Sequence, residues 1–331
     1  MKTLENERIP SRAAKGSPYY RRRKGCLPGC GCGGCLFFVL IAFFLALIVG
    51  LFAYRDIRST SDAIHEEVED QEVMRDDAVD LGDGDPFSVL LMGIDTGEEG
   101  RVDQGRSDTM MVVTVNPHTQ QSTIVSIPRD TYTEIAGRGT MDKINHAYAF
   151  GGTSMAVNTV QNLFDIPIDY YVSINMEGLE QIVDALNGIA LVPDSTFQQS
   201  GYSFTQGQET HLDGGAALAY SRMRKQDPEG DYGRQKRQRQ VVMAIVDEVA
   251  SIESILNYRN VLSVLDQNMA TNMTFDEMVT IFTNYRDASG NTRQEQLSGE
   301  GTRIDGVYYD IVSDAEINRV QSLLKEDLEI N

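Results

Sequence analysis

The sequence predicts an α/β protein, with helices on both sides of a mixed sheet, carried behind one N-terminal transmembrane helix. Three observations predict it. Residues 36–53 are 18 consecutive apolar positions. Runs from Phe87 to Gly93, Thr109 to Asn116 and Ser122 to Ile127 are rich in Val, Ile, Leu, Met and Thr, and turn residues such as Asn116-Pro117 separate them, which reads as three strands. Helical periods then alternate with short strand-like runs to the end of the chain.

The elements follow in order. With Cys35 and Tyr54 the apolar run spans about 30 Å, the thickness of a bilayer core. It exceeds a signal-peptide core and runs into Tyr54-Arg55-Asp56 without a small-x-small cleavage site, so it reads as an anchor. Arg21-Arg22-Arg23-Lys24 precedes it. By the positive-inside rule, residues 1–34 form a cytoplasmic basic tail, 35–54 cross the membrane and the rest is exported. Cys26, Cys30, Cys32 and Cys35 all lie at or before the membrane. The body therefore folds without disulfides, as many exported proteins of Gram-positive type envelopes do. Glycines separate the four thiols and no His is near, so the cluster reads as acylated or unreacted rather than as a zinc site.

Residues 55–85 are acidic and end at Gly82-Asp83-Gly84-Asp85-Pro86, which predicts a solvated extracellular linker. Residues 86–331 then form one globular unit. Sequential strands pair most often, so the three runs predict an antiparallel meander. Helices are expected at 142–150, 152–164, 176–187, 212–221 and 232–256, with short strands at Tyr170 to Ile174 and Ile189 to Val192. Near the end come helices at 275–285 and 314–328 and a strand from Val307 to Val312.

Charge narrows the function. The chain of 331 residues carries a net −20, and residues 55–331 hold 21 bases against 47 acids. Such a body repels nucleic acid, so no nucleic-acid partner is expected. An anionic ligand must meet a local concentration of bases. One exists: Arg222, Arg224, Lys225, Arg234, Lys236, Arg237 and Arg239 fall within 18 residues and face only Asp227, Glu229 and Asp231. Arg222, Arg224 and Arg234 read as a phosphate site, because guanidinium forks match phosphate oxygens and the helix beginning near Asp231 adds its N-terminal dipole. Lys225, Lys236 and Arg239 read as a solvated basic face.

The meander supplies a second group. Asp95 and Asp108 flank one hairpin loop, and the third strand returns to the same edge at Arg129-Asp130, so Arg106 also joins them. Two neighbouring carboxylates suit a hard cation such as Mg2+, which completes its shell with phosphate oxygens and water. No G-x-x-x-x-G-K-[ST], G-x-G-x-x-G, G-x-S-x-G or H-E-x-x-H motif is present, and the four His are scattered. Carboxylates, arginines and a metal fit phosphoryl transfer.

Leu90-Leu91-Met92-Gly93-Ile94-Asp95, Arg106-Ser107-Asp108-Thr109-Met110, Ser126-Ile127-Pro128-Arg129-Asp130, Lys143-Ile144-Asn145-His146-Ala147-Tyr148 and the stretch from Leu212 to Gln238 resemble, in order, the motifs of the LytR-CpsA-Psr family. The resemblance implies a three-layer α/β/α sandwich with a central mixed, largely antiparallel sheet. It implies transfer of a glycopolymer, teichoic acid or capsular polysaccharide, from a polyprenyl-pyrophosphate carrier to peptidoglycan. By matching motifs, Asp95 and Asp108 would hold Mg2+ or Mn2+, and Arg106, Arg129, Arg222, Arg224 and Arg234 would grip the pyrophosphate. Lys143, Asp231 and Gln238 would complete the shell, with Asp231 and Asp130 as candidate bases. A polyprenyl-pyrophosphate phosphatase and a non-catalytic envelope regulator are the alternatives.

Overall fold

A computed structural model describes residues 50–331 except 76, 96–104, 225, 250, 251 and 331. The basic tail, the cysteine cluster and nearly all of the expected 35–54 anchor lie outside the described residues. Among those described, no helix is long and apolar enough to cross a membrane.

A helix over 50–64 (α1) leads to β1 (Phe87–Asp95), β2 (Arg106–Asn116) and β3 (Gln121–Ser126), then a small hairpin of β4 (Tyr132–Ile135) and β5 (Thr140–Lys143). Next come α2 (His146–Phe164), β6 (Tyr170–Asn175), α3 (Met176–Ala185), β7 (Ile189–Leu191), β8 (Phe197–Gln199), β9 (Tyr202–Phe204) and β10 (Thr210–Leu212). The chain continues through α4 (Gly214–Arg222), α5 (Asp231–Val249), α6 (Ile252–Asn268), β11 (Met269–Thr271), α7 (Phe275–Asn284) and α8 (Arg286–Ser289). It ends with β12 (Thr292–Gln296), β13 (Glu300–Ile304), β14 (Val307–Ile311) and α9 (Asp314–Asp327).

The central sheet has the order β11-β6-β1-β2-β3-β12. The meander β1-β2-β3 is antiparallel as expected, while β6 runs parallel to β1 and β12 parallel to β3. Alternation along β1 and β2 sorts the side chains between faces. Leu90, Met92, Met110 and Val112 are buried in one cluster with Ala156, Val157, Val160 and Phe164 of α2 and Val320 and Leu324 of α9. Phe87, Val89 and Tyr170 bury the opposite face with Tyr285, just after α7. Beyond that face α3, α4 and α5 share a second core around Val183, Phe197, Phe204, Tyr220 and Val241. Each such side chain contributes about 1.5–3 kcal/mol when fully buried.

Two expectations change. The helix expected at 142–150 begins instead at His146, because Thr140 to Lys143 pair with Ile135 to Tyr132. It continues through Phe164 with a break at Gly151 and Gly152, where Gly152 takes φ 64°, ψ −153°, a conformation open essentially only to glycine.

The acidic stretch 55–85 is not a solvated linker. Ile64 and Leu81 are each 5% exposed, and residues 66–75 form a strap fastened along α2 and the start of β6. Gln71 donates to the Ile168 carbonyl at 2.6 Å, the Glu72 amide donates to Asn158 at 2.9 Å, and Arg75 grips Asp169 with two bonds of 2.7 and 3.0 Å. Composition hides this because the strap is fixed by backbone groups and a few anchors, not by an apolar face. Asp169 also accepts from the amide and hydroxyl of Ser88. Asp169→Ala would leave Arg75 half-buried with the Pro86 carbonyl but without its counter-charge, so we expect about 3–5 kcal/mol lower stability in urea, with the strap cleaved first in limited proteolysis.

Candidate functional site

The sheet edge expected to gather charge does so through a β-bulge. Gly93 pairs with Thr109 but Ile94 pairs with Ser107, so Asp108 is the extra residue, turned out of the ladder by the bulge. Its Oδ2 accepts from Arg129 Nη1 at 2.8 Å and its Oδ1 from Asn145 Nδ2 at 3.1 Å. Asp95 closes β1 opposite Arg106.

The second group comes from the α4–α5 connection. Arg222 is the last residue of α4, and extended Met223 (φ −61°, ψ 132°) turns the chain away. Met223 is buried, whereas Arg224 is exposed and lies 3.9 Å from Asp231. Asp231 opens α5, and Arg234 one turn later sets Nη2 2.8 Å from Asp231 Oδ1. That approach is not aligned as a hydrogen bond, since neither atom has a hydrogen-bond partner. Gly233 is required here: a side chain would strike the Asp227 carboxylate.

Both groups meet in a cavity of about 340 Å³ lined by Asp95, Asp108, Met176, Ser221, Arg222, Arg234 and Gln238. Five expected residues thus share one space, and Arg129 borders it through Asp108. Asp231 borders it beside Arg234, and three others stand back from its lining. Arg106 is exposed at the start of β2, Arg224 lies at the rim beside Asp231, and Lys143 is bound to Asp130 at 2.6 Å under the Tyr309 ring. Two larger cavities flank the strap and collect Glu67, Glu72, Asp77 and Glu277. Arg75 and Lys325 in their linings are already held by Asp169 and Asp165, so these cavities do not suit an anion.

Burial opposes the charge on Arg129, but Asp108, Asp130 and Asp231 outweigh it and hold the guanidinium above its ordinary pKa. Arg234 moves the other way: burial lowers it, Asp231 opposes, and the positive charges of Arg129 and Arg224 add to the fall. Arg129 Nε and Arg234 Nε and Nη2 are buried donors with no hydrogen-bond partner. Each such group costs on the order of 1–3 kcal/mol, more when charged. The arrangement is that of a preformed anion site, reinforced by the α5 N-terminus.

The donor set also fits a hard divalent cation. Asp95 and Asp108 offer carboxylate oxygens beside a cluster of arginines, and each Asp108 oxygen keeps a lone pair after its hydrogen bond. Among the described residues no group of three or more His, Cys, Asp or Glu could hold a metal by itself.

Sequence reasoning misplaced one base and left another unplaced. Arg239 is not on a solvated face: it is 5% exposed and donates to Ser126 Oγ at 2.7 Å. Arg237 shares helical spacing with Arg234 yet turns away, binding Asp227 and the Met223 carbonyl. Lys236 pairs with Asp194 at 3.3 Å, and Lys225 lies outside the described residues. Asn145, Met176 and Ser221 were missed as site residues. Asn145 and Ser221 carried a signal, their places inside quoted motifs, and Met176 carried none.

A family model for the LytR_cpsA_psr family matches residues 51–326, so the match takes in α1 and the strap. A polyisoprenyl-teichoic acid–peptidoglycan teichoic acid transferase, TagU of Enterococcus faecalis, is 49% identical over 294 residues, spanning 88% of this chain and 96% of the relative. The crystal structure of Bacillus subtilis TagU superposes with a TM-score of 0.61 at 46% identity, covering 75% of this chain and 98% of that one. A structure of TagT bound to LIIa-WTA gives 0.68 at 34% identity, covering 81% and 100%. Motifs, mixed sheet and relatives agree, and the chain belongs to the LytR-CpsA-Psr family.

Proposed function

We propose that this chain moves a glycopolymer of the teichoic acid class from a polyprenyl-pyrophosphate carrier to peptidoglycan. The observation that carries the reading is Arg234, a buried guanidinium with unfilled donors beside the same cavity as Asp95 and Asp108. The relatives' transferase names support it, as does the structure of TagT bound to LIIa-WTA.

Arg222 and Arg234 bind the pyrophosphate from the α4–α5 side and Arg129 from the sheet side, with Arg106 and Arg224 at the rim and Gln238 donating from α5. An acceptor hydroxyl attacks the sugar-bearing phosphorus. The new P–O bond gives a phosphodiester, the bond to the lipid phosphate breaks, and polyprenyl phosphate leaves. Asp231, whose Oδ1 accepts no hydrogen bond, takes the hydroxyl proton, a modest demand in a loose phosphoryl-transfer transition state. Asp130, bound to Lys143, is the poorer acceptor. Asp95 and Asp108 would hold Mg2+, which supplies neutralisation of phosphate charge when bound. The 35–54 segment anchors the chain with its N-terminus in the cytoplasm and residues 55–331 outside, where wall glycan is.

The test uses the full-length chain in detergent with a polyprenyl-pyrophosphate saccharide and isolated peptidoglycan. Saccharide joined to the wall through phosphodiester, with release of polyprenyl phosphate, is expected. Carrier hydrolysis with no saccharide joined would instead identify a phosphatase. Chelation by EDTA should reduce transfer to background and Mg2+ restore it. Asp108→Ala should raise the Mg2+ concentration for half-maximal transfer by about tenfold or more.

A further inference from the structure

The β13–β14 hairpin is unexplained by donor binding. It hangs beside the site by two attachments, each next to a site carboxylate. The Asp310 amide donates to the Asp130 carbonyl at 2.8 Å, and the Tyr232 hydroxyl, one residue from Asp231, lies 2.9 Å from Asp310 Oδ2 and accepts from the Gly299 amide at 2.8 Å. Asp310 is 5% exposed.

The two faces of the hairpin differ. Tyr309 packs edge-on against Tyr132 at 4.8 Å, towards Lys143. Tyr308 points the other way with Asp310, as alternation requires, and remains 42% exposed. A Cβ at Gly301 would come within 2.6 Å of the Tyr308 hydroxyl and 2.9 Å of its ring. Gly301 sits in a strand, exposed and without the positive φ that would call for glycine. Its missing side chain lets Tyr308 lie across the hairpin towards the site. Asp310, on the same face, is bound by the Tyr232 hydroxyl next to Asp231, which sets the ring beside the rim; burial and the negative charges of Asp310, Asp130 and Asp231 raise its phenol.

We propose that this hairpin is the acceptor wall of the site, with the Tyr308 ring as the platform for a sugar of the glycan strand that receives the phosphate. A pyranose packs its C–H face on an aromatic ring while its hydroxyls stay wet, and tyrosine offers that apolar body with a polar tip. The charge around it selects the occupant. Asp130 is paired with Lys143 and Asp231 with Arg234, and Asp310 is bound by the Tyr232 hydroxyl, so the charge beside the ring is largely matched and suits a glycan of low charge. The donor thus enters by the arginines and the acceptor by the aromatic side. The inference rests on the transferase reading for its purpose, but glycan binding can be measured without turnover.

Soluble glycan-strand fragments of four to eight sugars, as probe, are titrated by calorimetry into the full-length chain in detergent. Tyr308→Ala should bind them about tenfold more weakly, whereas Tyr308→Phe keeps the ring and restores affinity. Gly301→Thr retains the tyrosine in a residue suited to a strand but displaces the ring, and should weaken binding similarly. In transfer assays the Ala variant should raise the KM for glycan acceptor with the KM for carrier saccharide unmoved. Equal glycan affinity in the Ala and Thr variants and the parent would overturn the acceptor wall, as would a rise confined to the carrier KM. If glycan binding behaves as stated but no variant or parent transfers polymer, the transferase reading fails and the glycan site stands.

Discussion

Arg234→Met should lower kcat/KM for polymer transfer by about 10²–10³-fold while leaving the chain at least as resistant to urea as the parent. The two halves of this result have one cause. Arg234 is 9% exposed, and burial together with the neighbouring Arg129 and Arg224 weakens its hold on the proton. Asp231 lies close but unaligned, and two of the guanidinium nitrogens make no hydrogen bond. A poorly satisfied buried cation is a burden on the folded state, and a flexible apolar side chain of similar length relieves it. The same unfilled donors favour phosphate charge as it shifts towards the leaving oxygen, and Met removes them. Activity and stability therefore move in opposite directions, as in sites where strain serves function. Arg234→Lys should recover little, because an ammonium cannot form the planar fork. A loss of stability in step with the loss of transfer would show that Arg234 supports the fold instead.

How far the site can be read from sequence depends on what holds each residue. The strands of the meander declare themselves by branched apolar runs, and the hairpin between Asp95 and Arg106 follows from their order. The bulge does not: Asp108 is turned out of the ladder by a one-residue register shift between Gly93 and Ile94, which no periodicity records. Strands β4, β7, β8, β9 and β10 have only three or four residues each, too few to establish alternation, although Ile189 to Val192 was legible from its apolar run. The strap was illegible because its anchors, Gln71, Glu72 and Arg75, are polar residues whose partners lie about 90 positions away.

The basic segment is the sharper case. Charge contrast located it, and residue type singled out arginines. Neither could say which arginine faces ligand, because Arg234, Arg237 and Gln238 share a helix face and the loop before α5 decides between them. Asp227 in that loop captures Arg237, and Gly233 lets the two segments close up. Arg239 is drawn to Ser126 because β3 packs beneath α5. The sequence density of bases thus reported the place of the site while overstating how many of its members touch the ligand.

Arg237→Met should destabilise the fold by about 3–5 kcal/mol, a large share of the 5–15 kcal/mol typical of a domain, and abolish transfer with it. Arg237 is fully buried, bound to Asp227 and to the Met223 carbonyl, with its guanidinium 5.4 Å over the Phe197 ring. The substitution strands Asp227, whose side chain is 7% exposed and would keep only the Glu229 amide at 2.8 Å. Asp227 has no easy route to water, since Gly233 presses against it. The 223–230 loop must open, and Arg224 and Asp231 lose their positions with it. Removing the stranded charge tests this cause: Asp227→Ala added to Arg237→Met should return part of the lost stability, because an apolar pair in place of a buried ion pair is often neutral. Transfer should not return, as the loop then has no clamp to set the rim. Urea midpoints for the two single variants and the double variant complete the cycle. If Arg237→Met unfolds at the parent's midpoint, Asp227 reaches solvent and the clamp is no clamp. The contrast with Arg234 is then the measure of the segment: two arginines one helical turn apart, one spent on the fold and the other on the ligand.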